Sequence, residues 1–142
     1  MASFINRNNY SNQRDTYLRF ISTALEALAE ENPTNETYKD KWVFIYLTLI
    51  EIQKLLQKTT QPWEKRGYWL KVEQFRAEWG WLDELIPLIG YKISHDEWAS
   101  LAQDKEKLEE ICKNFPAYQR LQVREPWLGA LKKWKNKKAI SS

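Results

Sequence analysis

The chain has 142 residues, enough to bury a sizeable core, and its 22 Lys and Arg against 19 Asp and Glu give a net charge of +3. Four Gly and five Pro leave little turn material, which disfavours an all-β fold, and a single Cys excludes an intramolecular disulfide. Helix-forming residues dominate, and eight Trp, seven Tyr and five Phe are an unusually large aromatic content. The composition therefore predicts an all-α domain in which some aromatic rings reach the surface.

The N-terminal segment, residues 1–14, is polar and rich in Asn. We expect a flexible arm there, either solvated or docked on a neighbour, because a chain end with little to bury is poorly ordered unless something holds it. A single helical-bundle domain is predicted over residues 15–138, followed by a short tail at 139–142. No secretory or transit segment is recognisable, so the expected location is the cytoplasm.

The first helix is predicted to begin at Ser11 or Asp15 and to end near Glu31. Its apolar side chains recur at steps of three and four residues. Pro33 is expected to stop it, because the residue that precedes a proline is disfavoured in a helix.

The central helix is predicted over residues 36–58. It contains the longest apolar run of the chain, WVFIYLTLI at 42–50, and its apolar positions also follow helical spacing. A helix that is apolar nearly all round is normally wrapped by other helices, and this one is too short for a membrane span of roughly 20 apolar residues. The pattern is expected to break at 59–62. We therefore predict a compact bundle of five to six helices around it.

A third helix is predicted from Trp69 to Ile86, with one buried apolar stripe that includes Trp69. Gly80 weakens it, since Gly costs roughly 1 kcal/mol against Ala inside a helix. Pro87 and Gly90 are expected to end it.

The next helix is predicted to open at Ser94, because Ser94-His95-Asp96-Glu97 matches a capping box, and to reach Cys112. Its outer face is expected to be acidic, with Asp104, Glu106, Glu109 and Glu110. The last helix is predicted over residues 126–137, with Trp127, Leu131 and Trp134 on one side and lysines on the others.

Residues that carry catalysis or bind metals are sparse. One His and one Cys cannot form a zinc site of the usual kind, and His95 fits a cap or surface role better. Cys112 lies on the apolar side of its predicted helix and is expected to be a buried, inert thiol. No Gly-rich phosphate loop is present. We therefore expect neither an enzyme nor a cofactor or metal site.

Charge is distributed unevenly along the chain. Residues 113–142 carry a net charge of +7, whereas residues 1–112 carry −4. Such a split favours a basic surface for nucleic acid, for an acidic protein or for an anionic membrane.

Basic and aromatic residues interleave in two stretches, 63–71 and 127–138. Proteins that hold single strands use Lys and Arg along the phosphates and exposed rings against the bases. Flexible Lys side chains suit contacts with the backbone better than reading of base edges. We predict phosphate contacts from a C-terminal patch, Arg120, Arg124, Lys132, Lys133, Lys135, Lys137 and Lys138, and from a second patch, Lys65, Arg66, Lys71 and Arg76. Buried core tryptophans and solubilising lysines would leave the same pattern.

A competing hypothesis is a helical adaptor that binds proteins and no nucleic acid. Its basic end would dock on an acidic protein, and its surplus tryptophans would anchor the interface. A membrane partner is not expected, since residues 126–138 satisfy only marginally the need for an amphipathic helix with free bulky side chains.

As a whole the chain resembles the small subunit of CRISPR effector complexes. The resemblance lies in WVFIYLTLI as a central helix, an acid-rich helix at Asp96–Glu110 and a basic end at Arg120–Lys138. It implies a compact helical protein without catalytic residues, with several copies stacked along a guide-RNA assembly. Such copies would steady the backbone of a guide–target duplex or a displaced single strand, and the basic end of one copy would meet the acidic helix of the next.

Overall fold

The computed structural model describes residues 2–29, 31–115 and 125–141, with side chains for residues 10–29, 31–115 and 125–138. Six helices and no strand lie in these ranges, so the all-α prediction is confirmed. The helices are α1 (Ala2–Ala27), α2 (Glu36–Lys65), α3 (Trp69–Trp79), α4 (Trp81–Ser94), α5 (Leu101–Cys112) and α6 (Ala130–Ser141).

Helix α2 is the centre of the bundle, as predicted. Helices α1, α3, α4 and α6 all pack against it, and α5 packs against α1 and α4. Four side chains of its apolar run are fully buried, Trp42, Val43, Ile45 and Leu49. Within the described ranges no helix is long and apolar enough to cross a membrane.

The prediction that α2 breaks at residues 59–62 is wrong, since the helix continues to Lys65. Pro62 lies on its exposed side, and the hydroxyl of Thr59 donates to the carbonyl oxygen of Leu55 at 2.8 Å. The last turn also packs on α3, with the Trp63 and Phe75 rings 5.3 Å apart. Packing against α3 thus compensates for the loss of the one backbone hydrogen bond that Pro62 cannot donate.

Helix α1 begins at Ala2, so residues 2–14 of the segment predicted as an arm belong to the first helix. Its second half follows the predicted stripe, with Leu18, Ile21 and Leu25 buried, and Leu28, directly after the helix, is buried as well. The helix ends at Ala27 rather than near Glu31. Buried Lys41 of α2 donates to the carbonyl oxygen of Ala27 at 3.0 Å, which satisfies one of the carbonyls left free where the helix ends.

The predicted third helix is two helices that meet at Gly80. The prediction that Pro87 and Gly90 end it is wrong, because α4 runs through both to Ser94. Pro87 is exposed, whereas Gly90 faces α2 so closely that a Cβ atom there would lie 2.8 Å from the hydroxyl oxygen of Tyr46. Gly90 is therefore a site of close helix approach and not a helix end.

The segment predicted as a capping box ends α4 instead of opening α5. Asp96 has a left-handed φ of 55°, and the N–H of Glu97 donates to the carbonyl oxygen of Lys92 at 2.8 Å. The N–H of Asp96 donates to the carbonyl oxygen of Ile93 at 3.3 Å, which completes a Schellman motif. Helix α5 begins only at Leu101.

The predicted acidic outer face of α5 also needs correction at Asp104. Glu106 and Glu110 are exposed and Glu109 is half-buried, but Asp104 is only 3% exposed. Its carboxylate pairs with the ammonium group of Lys92 at 2.7 Å, and this ion pair joins α4 to α5.

The last helix begins at Ala130 instead of Pro126, and residues 126–129 form turns. Asp40 of α2 lies at its N-terminus. The Asp40 carboxylate accepts hydrogen bonds from the N–H groups of Gly129, at 3.2 Å, and Leu131, at 3.0 Å. A carboxylate in this position satisfies two free donors and complements the helix macrodipole. This cap from a distant residue sets where α6 begins.

Replacing Asp40 by Ala should lower the free energy of unfolding by about 2–4 kcal/mol. The reason is that Asp40 is 4% exposed, so the change leaves two N–H groups without an acceptor and removes a helix cap. Urea unfolding measures the loss, and Glu73→Ala on the exposed face of α3 is the matched control. A loss below about 0.5 kcal/mol would contradict the capping role.

Glu31 and Lys41 form a second charged contact next to α1. Lys41 pairs with Glu31, and its ammonium group lies 5.5 Å from the centre of the Trp127 ring. Burial alone would raise the pKa of Glu31. Hydrogen bonds from Lys41 and Thr37, together with the charge of Lys41, outweigh burial and lower the pKa below its ordinary value. A lowered pKa means that this contact stabilises the fold at neutral pH and weakens as acid protonates Glu31.

Candidate nucleic-acid interface

A groove of ≈ 190 Å³ lies where the N-terminal half of α1 passes the end of α2 and the start of α3. We call it the basic groove. It is lined by four cationic side chains, Arg14, Lys58, Arg66 and Lys71, and by the rings of Tyr10, Trp63 and Tyr68. No carboxylate lines the groove among the described residues.

Two of the four cations are held against aromatic rings. The ammonium group of Lys71 lies 4.3 Å from the centre of the Trp63 ring, and the Arg14 guanidinium lies 5.1 Å from that of Trp79. Arg14 also donates to the Ser11 hydroxyl at 3.3 Å. Cation–π contacts position a charge without neutralising it, but Arg14 also forms an ion pair with Asp15 at 3.7 Å, which reduces its attraction for an anion.

The corner between α2 and α3 places apolar side chains in solvent beside the groove. Gly67, with φ of 74°, turns the chain there, and Tyr68, Trp69 and Leu70 follow it, all exposed. The prediction that Trp69 belongs to the buried stripe is wrong, since 58% of its surface is exposed and the buried positions of α3 are Val72 and Trp79.

Trp69 is the exception among the eight tryptophans. Four are buried, Trp42, Trp79, Trp98 and Trp127, and three are half-buried, Trp63, Trp81 and Trp134. The large tryptophan content therefore serves mainly the core and its margins, and one ring remains as a platform on which a base or an apolar partner can stack.

The structure divides the second predicted patch. Arg66 and Lys71 line the basic groove, and Lys65 is exposed at the end of α2 but does not line it. Arg76 lies on another face, where its guanidinium pairs with Glu64.

The five lysines of the C-terminal patch on α6 are all exposed. The ammonium group of Lys138 lies 4.3 Å from the centre of the Trp134 ring and donates to the Ser94 hydroxyl at 3.2 Å. The predicted apolar side of α6 is confirmed, since Trp127 and Leu131 are buried and Trp134 is half-buried. Arg120 and Arg124, predicted for the same patch, lie outside the described residues.

The two patches lie far apart along α2. The N-terminus of α6 packs at Asp40 of α2, whereas Lys58 is the first residue of α2 that lines the basic groove. Eighteen residues of helix separate them, about 27 Å at 1.5 Å per residue. The patches are therefore two surfaces and not a continuation of one site.

Sequence reasoning missed Arg14 and Lys58. Lys58 and Pro62 of α2 and Arg66 directly after it follow one another at steps of four residues and so lie on the same side. This signal disappears when the helix is ended at residue 58. Arg14 had no such signal, because it reaches the groove only through the crossing of α1 over α2.

His95 and Cys112, which the sequence singled out, both lie in the part of the chain that the structure describes. No group of three or more His, Cys, Asp or Glu there is arranged to hold a metal ion. His95 is exposed and stacks on Tyr91, with 4.0 Å between the ring centres. The buried position predicted for Cys112 is confirmed. Burial, reinforced by the charge of Glu109, raises the pKa of the Cys112 thiol to about 11, although a hydrogen bond with Ser22 opposes it.

Cys112 should therefore react slowly with thiol reagents in the folded protein. At pH 8 a pKa of about 11 in place of about 9 leaves roughly a hundredfold less thiolate, which is the reactive form. The rate with dithiobis(nitrobenzoate) should rise at least that much in urea. Equal rates in the folded and unfolded protein would contradict this result.

Comparison of the chain with protein-family models, with curated proteins and with solved structures returns no match.

Proposed function

We propose that this protein binds single-stranded nucleic acid along the basic groove and contacts its phosphates without reading sequence. The observation that supports the proposal best is the convergence of four cations from three helices and one corner, without a carboxylate in the lining, beside the exposed Tyr68 and Trp69 rings. The composition of this surface is that of single-strand sites, in which cations follow the backbone and rings stack on bases at about 1–3 kcal/mol each.

The absence of sequence reading follows from the kind of donor. Two of the cations are lysines, whose ammonium groups act as point charges, and Arg14 is already positioned over an indole ring. Base reading in duplexes uses side chains presented by a helix that lies in the major groove, and the cations here come from separate elements. Phosphate contacts of this kind give affinity and register but carry no sequence information.

The wider role we propose is that of a non-catalytic subunit of a ribonucleoprotein assembly. This follows the resemblance to small subunits of CRISPR effector complexes, which is a likeness of overall character. The α6 lysines, on a second surface, would then contact either another stretch of backbone or a neighbouring subunit, including another copy of this chain.

The adaptor hypothesis retains one supporting feature, the exposed Trp69–Leu70 corner, which also suits an apolar site on a protein. The two hypotheses differ in their response to salt. Binding through phosphates releases counterions and weakens steeply as salt rises, whereas a tryptophan-anchored protein interface depends far less on it.

Fluorescence anisotropy with a labelled single strand of about 30 nucleotides, in several sequences and from 50 to 400 mM salt, tests the proposal. Four phosphate contacts predict a log–log slope of about −2.8, at roughly −0.7 per contact, and similar affinities for all sequences. A flat salt dependence, or the absence of binding at 50 mM salt, would contradict it.

A further inference from the structure

A second cleft, of ≈ 320 Å³, lies between the C-terminal half of α2 and the α3–α4 pair. Three glutamines of α2 line one wall at steps of four residues, Gln53, Gln57 and Gln61, and Phe75 and Trp79 lie on the opposite side. The lining also includes the ion-paired Arg76 and Glu64 and the carboxylate of Asp83. We call it the amide cleft. Its volume is at the small end of the range for ligand sites, which suits a single ring system rather than a large ligand.

The glutamine row is only partly used within the protein. The amide nitrogen of Gln53 donates to the Asp83 carboxylate at 2.9 Å, whereas Gln57 and Gln61 are exposed along the cleft. A carboxamide carries two donors and one acceptor group on a flat unit, so a row of amides can match the hydrogen-bonding edge of a heterocycle in either orientation.

Trp79 lines the cleft and is packed against two groups. The Arg14 guanidinium and the Phe115 ring lie 5.1 and 4.9 Å from the centre of its indole. The indole Nε1 has no hydrogen-bond partner among the described residues, although Trp79 is only 4% exposed. A buried donor without an acceptor is costly, but the Nε1 atoms of Trp42, Trp81 and Trp127 also lack a partner among the described residues, so this feature does not by itself mark a ligand site.

The basic groove and the amide cleft are joined by packed rings. Lys71 in the groove lies over the Trp63 ring. The centres of the Trp63 and Phe75 rings are 5.3 Å apart, and the centres of the Phe75 and Trp79 rings are 6.4 Å apart. Arg14 lines the groove and touches Trp79 as well. The groove and the cleft are therefore neighbouring sites, connected through the rings of Trp63 and Phe75.

We infer that the amide cleft receives one unpaired nucleobase of the strand bound in the basic groove. The base edge meets the amides of Gln57 and Gln61, and its face lies against the half-buried Phe75 ring. Because the amides present donors or acceptors as needed, the cleft takes any base and is compatible with sequence-blind binding. This inference rests on the proposed function.

The test compares a single strand with an abasic strand of the same length and charge, for the native protein and for the double variant Gln57→Ala, Gln61→Ala. We expect the double variant to bind the normal strand about tenfold more weakly and the abasic strand unchanged, because only amide contacts to a base are lost. Gln74→Ala is the matched control, since Gln74 is exposed on α3 and lines neither the groove nor the cleft. Equal loss for both strands, or no loss for either, would overturn the inference and leave the phosphate contacts standing.

A second measurement separates the cleft from the groove. Adenosine 5′-monophosphate at millimolar concentration should shift the indole N–H resonance of Trp79, identified by its disappearance in Trp79→Phe, and the double variant should abolish the shift. If no strand binds the native protein, the proposed function fails, and this titration alone then decides the cleft. An unshifted Trp79 resonance would overturn the nucleobase site.

Discussion

Replacing Arg14, Lys58, Arg66 and Lys71 together by Gln should lower the affinity for a single strand at 50 mM salt on the order of a thousandfold. The magnitude follows from counterion release. Four phosphate contacts contribute a slope of about −2.8 when the logarithm of the binding constant is plotted against the logarithm of the salt concentration. Between about 1 M and 50 mM salt, roughly 1.3 decades, these contacts therefore raise the binding constant by more than a thousandfold. The same four changes should flatten the slope by nearly three units. All sequences should be affected alike, because no base is read by these side chains.

A control with the same change in net charge separates the groove from the overall field of the protein. Lys54, Lys105, Lys107 and Lys113 lie outside the basic groove, so their joint replacement by Gln removes four charges and no groove contact. This variant should keep most of the affinity and most of the salt slope. A third variant, Lys132→Gln with Lys133→Gln and Lys135→Gln, measures how much the α6 lysines contribute to the affinity for the strand. Native affinity after removal of both the groove and the α6 charges would show that neither surface carries the phosphate contacts.

The bundle and its central helix were predictable because they rest on periodicity. Trp42, Ile45, Leu49 and Ile52 recur at helical spacing and all are fully buried. The ends of the helices were less predictable, since long-range contacts set them. Pro62 remains inside α2 through packing on α3, and α6 begins where the buried carboxylate of Asp40 meets it. No local pattern contains information about a partner 91 residues away.

The segment Ser94-His95-Asp96-Glu97 shows how one pattern fits two structures. A Ser followed three residues later by Glu matches a capping box, but an Asp is also tolerated in the left-handed conformation that ends a helix. The apolar residues of α4 reach Ile93, and burying that side chain carries the helix up to the Asp96 turn. Tertiary burial therefore decided between two local possibilities of similar strength.

The candidate site was predictable only in part, for a related reason. Arg66 and Lys71 are close in sequence and interleave with aromatic residues, so their stretch could be recognised. Arg14 and Lys58 join them only because α1 crosses the end of α2. Arg76 was included by proximity in sequence, yet the twist of α3 turns it towards Glu64 and the amide cleft.

Replacing Lys92 by Met should lower the free energy of unfolding by about 3–5 kcal/mol. Lys92 is the partner of Asp104, a carboxylate on α5 that is only 3% exposed, and it also donates to the carbonyl oxygen of Ser100 at 3.2 Å. Without the ammonium group, Asp104 is a buried charge with no counterion. The free-energy cost of that unpaired charge is far larger than the net stabilisation that the ion pair provides. Because the free energy of unfolding of such domains is about 5–15 kcal/mol, the change removes a large share of the stability.

The double variant Lys92→Met, Asp104→Leu should recover most of that loss, because an apolar pair of similar volume fills the same space without a charge to desolvate. Urea unfolding with a constant m-value measures both variants. Lys105→Met is the matched control, since Lys105 pairs with the half-buried Glu109 nearer the surface of α5, where such a pair contributes about 0–1 kcal/mol. A double variant as unstable as Lys92→Met would mean that the contact of Lys92 with Ser100, and not the unpaired Asp104, holds α5 against α4.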